Sequence, residues 1–521
     1  MTVNRMLLSD IVAFSARRAP DATAMMFGDD RWTYREFLDR INRTANAMLT
    51  LGAKGERVAI LAENLPEYVE AYYAIPRAGM CLVFVNYRLA PREIEHIVRD
   101  SGSTLMITEP KYAEVSTKVA GATGVRRVLC IGCEPTGAPD GTTALEPLVQ
   151  QASPEEPPDD VDTDDLAWLI YTSGTTGLPK GAMLSHANLV AAVSNSAIQW
   201  PSDITGPSLF PWPLCHVAGY GILMLHLRAR TLVLMRAYEP LALLQHIERY
   251  AVEETTVAPT MFSMLLRHPA FDEHDVSTIR RIGYGAAAMP AEVLRQGMKR
   301  FPNAQFATGF GMTELAGNVL YHPYDQHLRG LEEKPDLLVS VGKPMPLGMV
   351  RVVDDAMNDV GTGEVGELVI RGPQVTQGYW NNPGATAEAF AGGWFHSGDL
   401  AKIDEEGNFY IVDRKKDMIL TGGENVYSRE VEEVLYQHPA VAEAAVIGLP
   451  DDMWGENVVA VVQLRVDVQA SEDGIIAHCK EYLAGYKKPR RVFFVDELPR
   501  NASGKVLKRE LRERFADQPS R

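Results

Sequence analysis

Between Tyr171 and Gly181 the chain reads YTSGTTGLPKG, which carries the residue types needed to surround an anion. Gly174, Gly177 and Gly181 let backbone N–H groups approach a ligand closely, Thr172, Ser173, Thr175 and Thr176 add hydroxyl donors, and Lys180 adds a cation. Together they suit a polyphosphate. The spacing is not that of GxxxxGK[ST], because Leu178 and Pro179 separate Gly177 from Lys180 and Gly181 follows the lysine. Gly361, Gly363 and Gly366 spell GxGxxG, but strand-like ELVIRG follows where a dinucleotide-binding helix would have to begin, so this second glycine pattern reads as a turn.

Further polar segments follow in order: PWPLCHVAG (211–219), YGAAAMP (284–290), TGFGMTE (308–314), WFHSGDL (394–400) and DRKKDMILTGGENVYSREVE (413–432). The terminal PRNASGKVLKREL (499–511) adds a lysine in a glycine-containing loop. Together with the anion loop, this series resembles the signatures of the adenylate-forming superfamily: acyl-CoA synthetases, luciferases and peptide-synthetase adenylation domains. The resemblance spans nearly the whole chain. It implies an ATP-dependent carboxylic acid:CoA ligase of the acyl-CoA synthetase branch, which makes an acyl-adenylate and then a thioester, with ATP, Mg²⁺ and coenzyme A as cofactors and substrates. An adenylation enzyme serving a carrier protein and a luciferase-like oxygenase are the alternative readings.

The resemblance also implies residue roles. Thr172 to Gly177 and Lys180 would cradle the phosphates; Thr313 would bond the α-phosphate and Glu314 would hold Mg²⁺ through oxygen. Gly285, Ala286 and Ala287, with Gly309, Phe310, Gly311 and Met312, would border the nucleotide, Phe310 offering its face to adenine where relatives usually carry Tyr. Asp399 would accept both ribose hydroxyls, with Arg414 and Ile411 beside them. Lys505 would enter for adenylation, binding carboxylate and α-phosphate together. His216 would flank the carboxylate and the acyl channel without acting as general base. Trp212, His216, Tyr220, Tyr284, Ala288 and Met289 would make a mainly apolar acyl pocket, favouring an aliphatic or aryl acid. Lys416 would be the hinge, and Gly422, Gly423 and Glu424 would line the thiol path after rotation. Lys487 and Lys488 would meet the phosphates of coenzyme A.

Elements that must position these residues are legible in the pattern. Tyr34, Phe37, Leu38, Ile41, Ala45 and Met48 keep helical spacing, Thr33 and Glu36 suit a capping box, and Gly52 suits the stop, which predicts a helix over 33–51. A strand over 57–61, a helix over 66–78 and a strand over 81–85 then predict crossover units and parallel sheet. LAWLIY (166–171) reads as a fully buried strand running into the anion loop. The Pro-, Gly- and acid-rich segment 134–165 is expected to be a solvated surface connection. Strand-like NFYIV gives way near Asp413 to DRKKD, which predicts an α/β N-terminal domain with mixed sheets over 1–413 and a small mobile α+β domain over 414–521.

Composition bounds the partners. Of 521 residues 46% are hydrophobic and 23% charged, which fits a globular protein, and 51 basic against 68 acidic residues give −17, which opposes general affinity for nucleic acid or anionic lipid. From Gly485 to Arg514, however, ten Lys or Arg face four Asp or Glu. No apolar run approaches the ~18 residues of a membrane span, and a cytoplasmic location is expected. A homodimer is left open. Five cysteines make no disulfide framework, and the lone CxxC of Cys130 and Cys133 lacks the second ligand pair of a zinc site.

Overall fold

The computed structural model describes residues 5–158, 160–172, 179–201, 203–451, 453–501 and 504–516. Among them the strands form four sheets. The helix Tyr34–Leu51 has the predicted start: Thr33 accepts from the Glu36 N–H and the Glu36 carboxylate accepts from the Thr33 N–H, so two orphan donors are satisfied reciprocally. It buries Phe37, Ile41, Ala45 and Met48 against the helix Pro66–Arg77, whose inner face presents Tyr68, Tyr72 and Tyr73.

The predicted crossover units assemble as a parallel sheet. Arg57–Leu61 lies between Cys81–Phe84 and Leu105–Thr108, and Cys81–Phe84 pairs in parallel with Leu166–Thr172. That last strand is buried through its centre, as its unbroken apolar run requires, and the antiparallel Lys180–Ser185 pairs with it. A second sheet places Glu254–Val257, Arg281–Tyr284 and Gln305–Met312 side by side in parallel, with Gly317–His322 antiparallel beyond. Met349–Val353, Gly366–Arg371, Phe395–Ile403 and Phe409–Arg414 form an antiparallel third. The glycine pattern at 361–366 does lead into a strand, as read from the sequence.

The small fourth sheet belongs to the C-terminal domain. Val441–Asp451 and Gly455–Leu464 form its long hairpin, Ile419–Thr421 and Arg491–Phe494 flank it, and the helices Ser428–Gln437 and Glu472–Tyr482 cover one apolar face. Large α/β domain and small α+β domain therefore stand as expected. The segment 134–165 does not behave as a bare solvated connection. Within it Thr143–Ala144 adds an edge strand, Glu146–Gln151 is helical, and Glu146 makes a two-bond ion pair with Arg40. Its acidic and carbonyl oxygens satisfy arginines of the neighbouring helices, among them Arg43 and Arg77, which composition alone does not reveal.

Among the described residues no helix is long and apolar enough to cross a membrane.

Candidate functional site

Ser173, Gly174, Thr175, Thr176 and Gly177 lie outside the described residues, but both ends of their loop are placed. Thr172 and Lys180 face each other across the antiparallel pair. Thr172 Oγ1 lies 3.4 Å from Glu314 Oε1. Glu314 is buried on the short helical turn Thr313–Leu315, which follows Gln305–Met312 directly. That strand can fold back so tightly only with glycine at 311, where a Cβ would meet the Gly317 carbonyl oxygen at 2.0 Å.

Tyr379 is not singled out by the sequence, yet it touches both Glu314 and Lys180. Its hydroxyl donates to Glu314 Oε1 at 3.0 Å, and Lys180 Nζ sits 5.3 Å over its ring. The neighbouring Thr376 N–H donates to the Glu314 carbonyl at 2.7 Å. The only local signal was a Gly-Tyr-Trp triplet among amides, and 65 residues separate Tyr379 from Glu314.

Asp399 and Arg414 are opposite partners on adjacent antiparallel strands, with Arg414 Nε 2.8 Å from Asp399 Oδ1. Burial raises the Asp399 pKa, and the cations Arg414 and Lys505 oppose that rise. A buried carboxylate with one oxygen engaged keeps acceptor capacity for hydroxyl donors. Lys505 reaches this region from the far end of the chain. Its loop is closed by Lys505 N–H donating to Asn501 Oδ1 (2.9 Å) and Asn501 N–H donating to the Lys505 carbonyl (2.8 Å). The side chain is solvent-accessible yet hemmed in: crowding lowers its pKa first and Arg414 adds to that, while Asp399 and Glu314 pull the other way. The structure thus brings Lys505, Glu314, Asp399 and Arg414 into one electrostatic neighbourhood.

His216 lies close enough to Lys505 to feel its charge. Asn86 Nδ2 lies 3.5 Å from its Nε2, and burial, followed by the positive charges of Arg88 and Lys505, pushes its pKa down to about 4. Near pH 7 it is therefore the neutral imidazole, with one ring N–H and one acceptor nitrogen. Trp212 Nε1 donates to Thr256 Oγ1 at 2.8 Å, and the Tyr220 ring packs over Gly317, where a Cβ would come within 2.8 Å of it.

Of the expected acyl-pocket residues, Tyr284 and Met289 are buried in one apolar cluster around the second sheet, Tyr284 with its hydroxyl 2.8 Å from His327 Nε2. Ala286, Ala287 and Ala288 are exposed after Gly285, and Ala286 takes a left-handed backbone at φ 66°, an unfavourable conformation for a residue with a Cβ. Gly309, Phe310 and Met312 run along the strand that leads to Thr313, and Ile411 lies on the strand of Arg414.

Lys416 occupies the exposed turn between Phe409–Arg414 and Ile419–Thr421, that is, between the third sheet and the fourth. Thr421 and Glu424 are register partners, so Gly422 and Gly423 form a two-residue hairpin turn with φ 60° and 84°. Such a turn needs positive φ at both positions, a local reason for both glycines. Lys487 is ion-paired to Glu430 at 2.7 Å, which matches its charge in this orientation, and Lys488 follows it with its N–H bonded to the Ala484 carbonyl. Among the described residues no group of three or more His, Cys, Asp or Glu could hold a metal ion. One carboxylate beside a hydroxyl, as at Glu314 and Thr172, fits Mg²⁺, which keeps most of its shell in water and substrate phosphates.

Comparison with known proteins agrees with this geometry. The family described as AMP-binding enzyme matches residues 12–380, and its C-terminal domain matches 430–505. The chain belongs to the AMP-binding enzyme family. A feruloyl-CoA synthase of Amycolatopsis sp is 39% identical over 96% of this chain and 97% of that protein. A long-chain-fatty-acid–CoA ligase of Escherichia coli O157:H7 is 34% identical over 97% of this chain and 94% of that protein. Among solved structures, an anthranilate CoA ligase in complex with anthranoyl-AMP superimposes with a TM-score of 0.89 at 26% identity, over 98% of this chain and 97% of that one. This AMP-binding enzyme is therefore a member of the adenylate-forming superfamily on its acyl-CoA synthetase branch.

Proposed function

We propose that the enzyme is an ATP-dependent carboxylic acid:CoA ligase that works in two half-reactions and takes a mainly apolar acid, with aryl acids preferred. The observation that carries this reading is Lys505, delivered by the small domain to the neighbourhood of Glu314 and the Asp399–Arg414 pair.

In the first half-reaction an acid oxygen bonds to the α-phosphorus of ATP and the bond to the β-phosphate bridging oxygen breaks, releasing pyrophosphate. Two anions must approach, so a cation shared between them lowers the barrier, and Lys505 has that role. Thr313 donates to the α-phosphate, the 172–180 loop with Lys180 holds the outer phosphates, and Asp399 with Arg414 fixes the ribose. Glu314, oriented by Tyr379, would hold Mg²⁺, which supplies charge neutralisation on the phosphates. In the second half-reaction the thiol sulfur of coenzyme A bonds to the acyl carbon, AMP leaves, and the thiol proton passes to solvent or AMP. Access for the thiol requires the small domain to turn about Lys416, with the domain boundary at 413/414, so that the Gly422–Gly423 turn faces the cleft.

The aryl preference is supported by the feruloyl-CoA synthase relative. Pyrophosphate release against hydroxycinnamic, benzoic, medium-chain and long-chain acids, with and without coenzyme A, tests the proposal. Release with an aryl acid, followed by thioester formation when coenzyme A is added, is expected. No release with any acid overturns the ligase reading, and selective use of long-chain acids overturns the aryl preference.

A further inference from the structure

Asp413 has no role in the scheme above, yet it is buried at 2% exposure at the end of the last large-domain strand, opposite Leu400. Its carboxylate reaches over the hinge to the first residue of the helix Ser428–Gln437. Asp413 Oδ2 accepts from the Ser428 N–H, and Asp413 Oδ1 accepts from the Ser428 hydroxyl at 3.1 Å and from the Arg414 N–H at 2.7 Å. That helix has no side-chain cap of its own, since Tyr427 at its N-cap supplies none. An anion from the other domain therefore satisfies an orphan donor and sits at the positive end of the helix dipole.

The connection continues. The Ser428 hydroxyl, which has one proton to donate and lone pairs to accept with, takes a hydrogen bond from Lys508 Nζ. Lys508 also pairs with Glu432 at 2.8 Å on the same helix, and it opens the helix Lys508–Phe515, three residues after Lys505. A second bond crosses nearby, from Arg429 Nη1 to the Ile411 carbonyl at 3.0 Å. Asp413 stands before the turn at 415–417 and Ser428 stands after it, so rotation at Lys416 must separate them.

We infer that Asp413, Ser428 and Lys508 form a latch across the hinge that holds the small domain in the orientation delivering Lys505, which makes Asp413 a positioning residue for adenylation. The inference rests on the proposed ligase reading for its catalytic consequence, but the latch itself is a contact between domains. It is specific to one orientation. Once the small domain turns, Asp413 loses both bonds to Ser428, so the latch biases the partition between the two half-reactions without touching the reacting atoms.

The test separates the two steps. Asp413→Ala, Asp413→Asn and Lys508→Met are assayed for ATP–pyrophosphate exchange with the acid that supports it best, and for thioester formation from the synthetic acyl-AMP of that acid plus coenzyme A. Exchange is expected to fall about 10- to 100-fold for Asp413→Ala, the range of losing charge-assisted hydrogen bonds, and less for Asp413→Asn, which keeps an acceptor toward Ser428. Thioester formation is expected to be unchanged or faster. The Asp413→Ala and Lys508→Met losses should be less than multiplicative in the double variant, because both act through Ser428. Hydrogen–deuterium exchange on the full chain adds a readout independent of activity: faster exchange over 426–432, with 441–464 unchanged. Equal loss of both half-reactions, or unchanged exchange over 426–432, overturns the latch. If the wild-type chain releases no pyrophosphate with any acid, the ligase reading fails while the exchange experiment still decides the latch.

Discussion

On the large-domain side of the cleft, Glu314 and Asp399 are buried carboxylates whose partners come from adjacent strands and a returning loop, so their positions are over-determined by hydrogen bonds. On the small-domain side, the Gly422–Gly423 turn, Glu424 and the neighbouring Leu420 are exposed, and Lys487 is matched by a local glutamate. The first region has its donors and acceptors aimed before any ligand arrives; the second is an exposed surface that, in the proposed scheme, meets its partner after the small domain turns. Preorganisation on one side and an open surface on the other suit that scheme, in which ATP is held still before a thiol is admitted.

Four experiments bear on that contrast. The largest effect is expected for Lys505→Ala, about 10³-fold in pyrophosphate exchange, the scale of removing a preorganised electrostatic contact, with thioester formation from supplied acyl-AMP spared. Loss of both half-reactions together would remove Lys505 from the adenylation side.

Next in size is the acid response of the large domain. His186, His226, His322 and His327 are fully buried there, and burial pushes their pKa values down to about 4, 3, 3 and 4. An unfolded histidine titrates near 6.5, so below that pH the unfolded chain binds more protons than the folded one. Their contribution to stability is thus fully present above about pH 6.5 and lost as pH falls, at up to ~1.4 kcal/mol per pH unit for each. The thermal midpoint should drop between pH 7 and pH 5, and replacing His322, whose ring nitrogens have no hydrogen-bond partner among the described residues, with Phe or Leu should flatten the drop. A flat profile in the wild type contradicts this account.

Tyr379→Phe should slow adenylation about tenfold, as for a hydrogen bond to a charged acceptor, and weaken the apparent affinity for Mg²⁺ more than that for the acid. An effect on the acid alone would detach Tyr379 from Glu314. The smallest effect is expected for Gly422→Ala. At φ 60° the added Cβ would meet the Trp454 ring at 2.9 Å, so thioester formation should fall a few-fold while pyrophosphate exchange keeps its rate. A loss confined to exchange would reverse the assignment of the two sides.

Much of the frame was legible from particular residues. The Thr33–Glu36 capping box and the periodic apolar face behind it specify the helix Tyr34–Leu51 locally, and LAWLIY specifies a buried strand by its unbroken apolar run. Tyr284 and Met289 are apolar residues beside a small-residue loop, and whether such side chains face a pocket or a core depends on which helix packs above them. Arg40 with Glu146, and Tyr379 with Glu314, are pairs 106 and 65 residues apart, and nothing local couples their positions.

By itself the sequence determined the capped helix after Thr33, the buried strand at 166–171, the turn at 361–366 and the residue types able to bind phosphate, ribose and metal, because each depends on local sterics or on spacing along the chain. Tertiary structure decided which of those side chains meet. Asp399 and Arg414 are partners through strand register, Tyr379 and Glu314 through a returning loop, and Asp413 and Ser428 through the return of the chain after the turn at 415–417. Long-range pairing is set by how whole sheets and helices bury their apolar faces, and that global packing has no local signature in the order of residues.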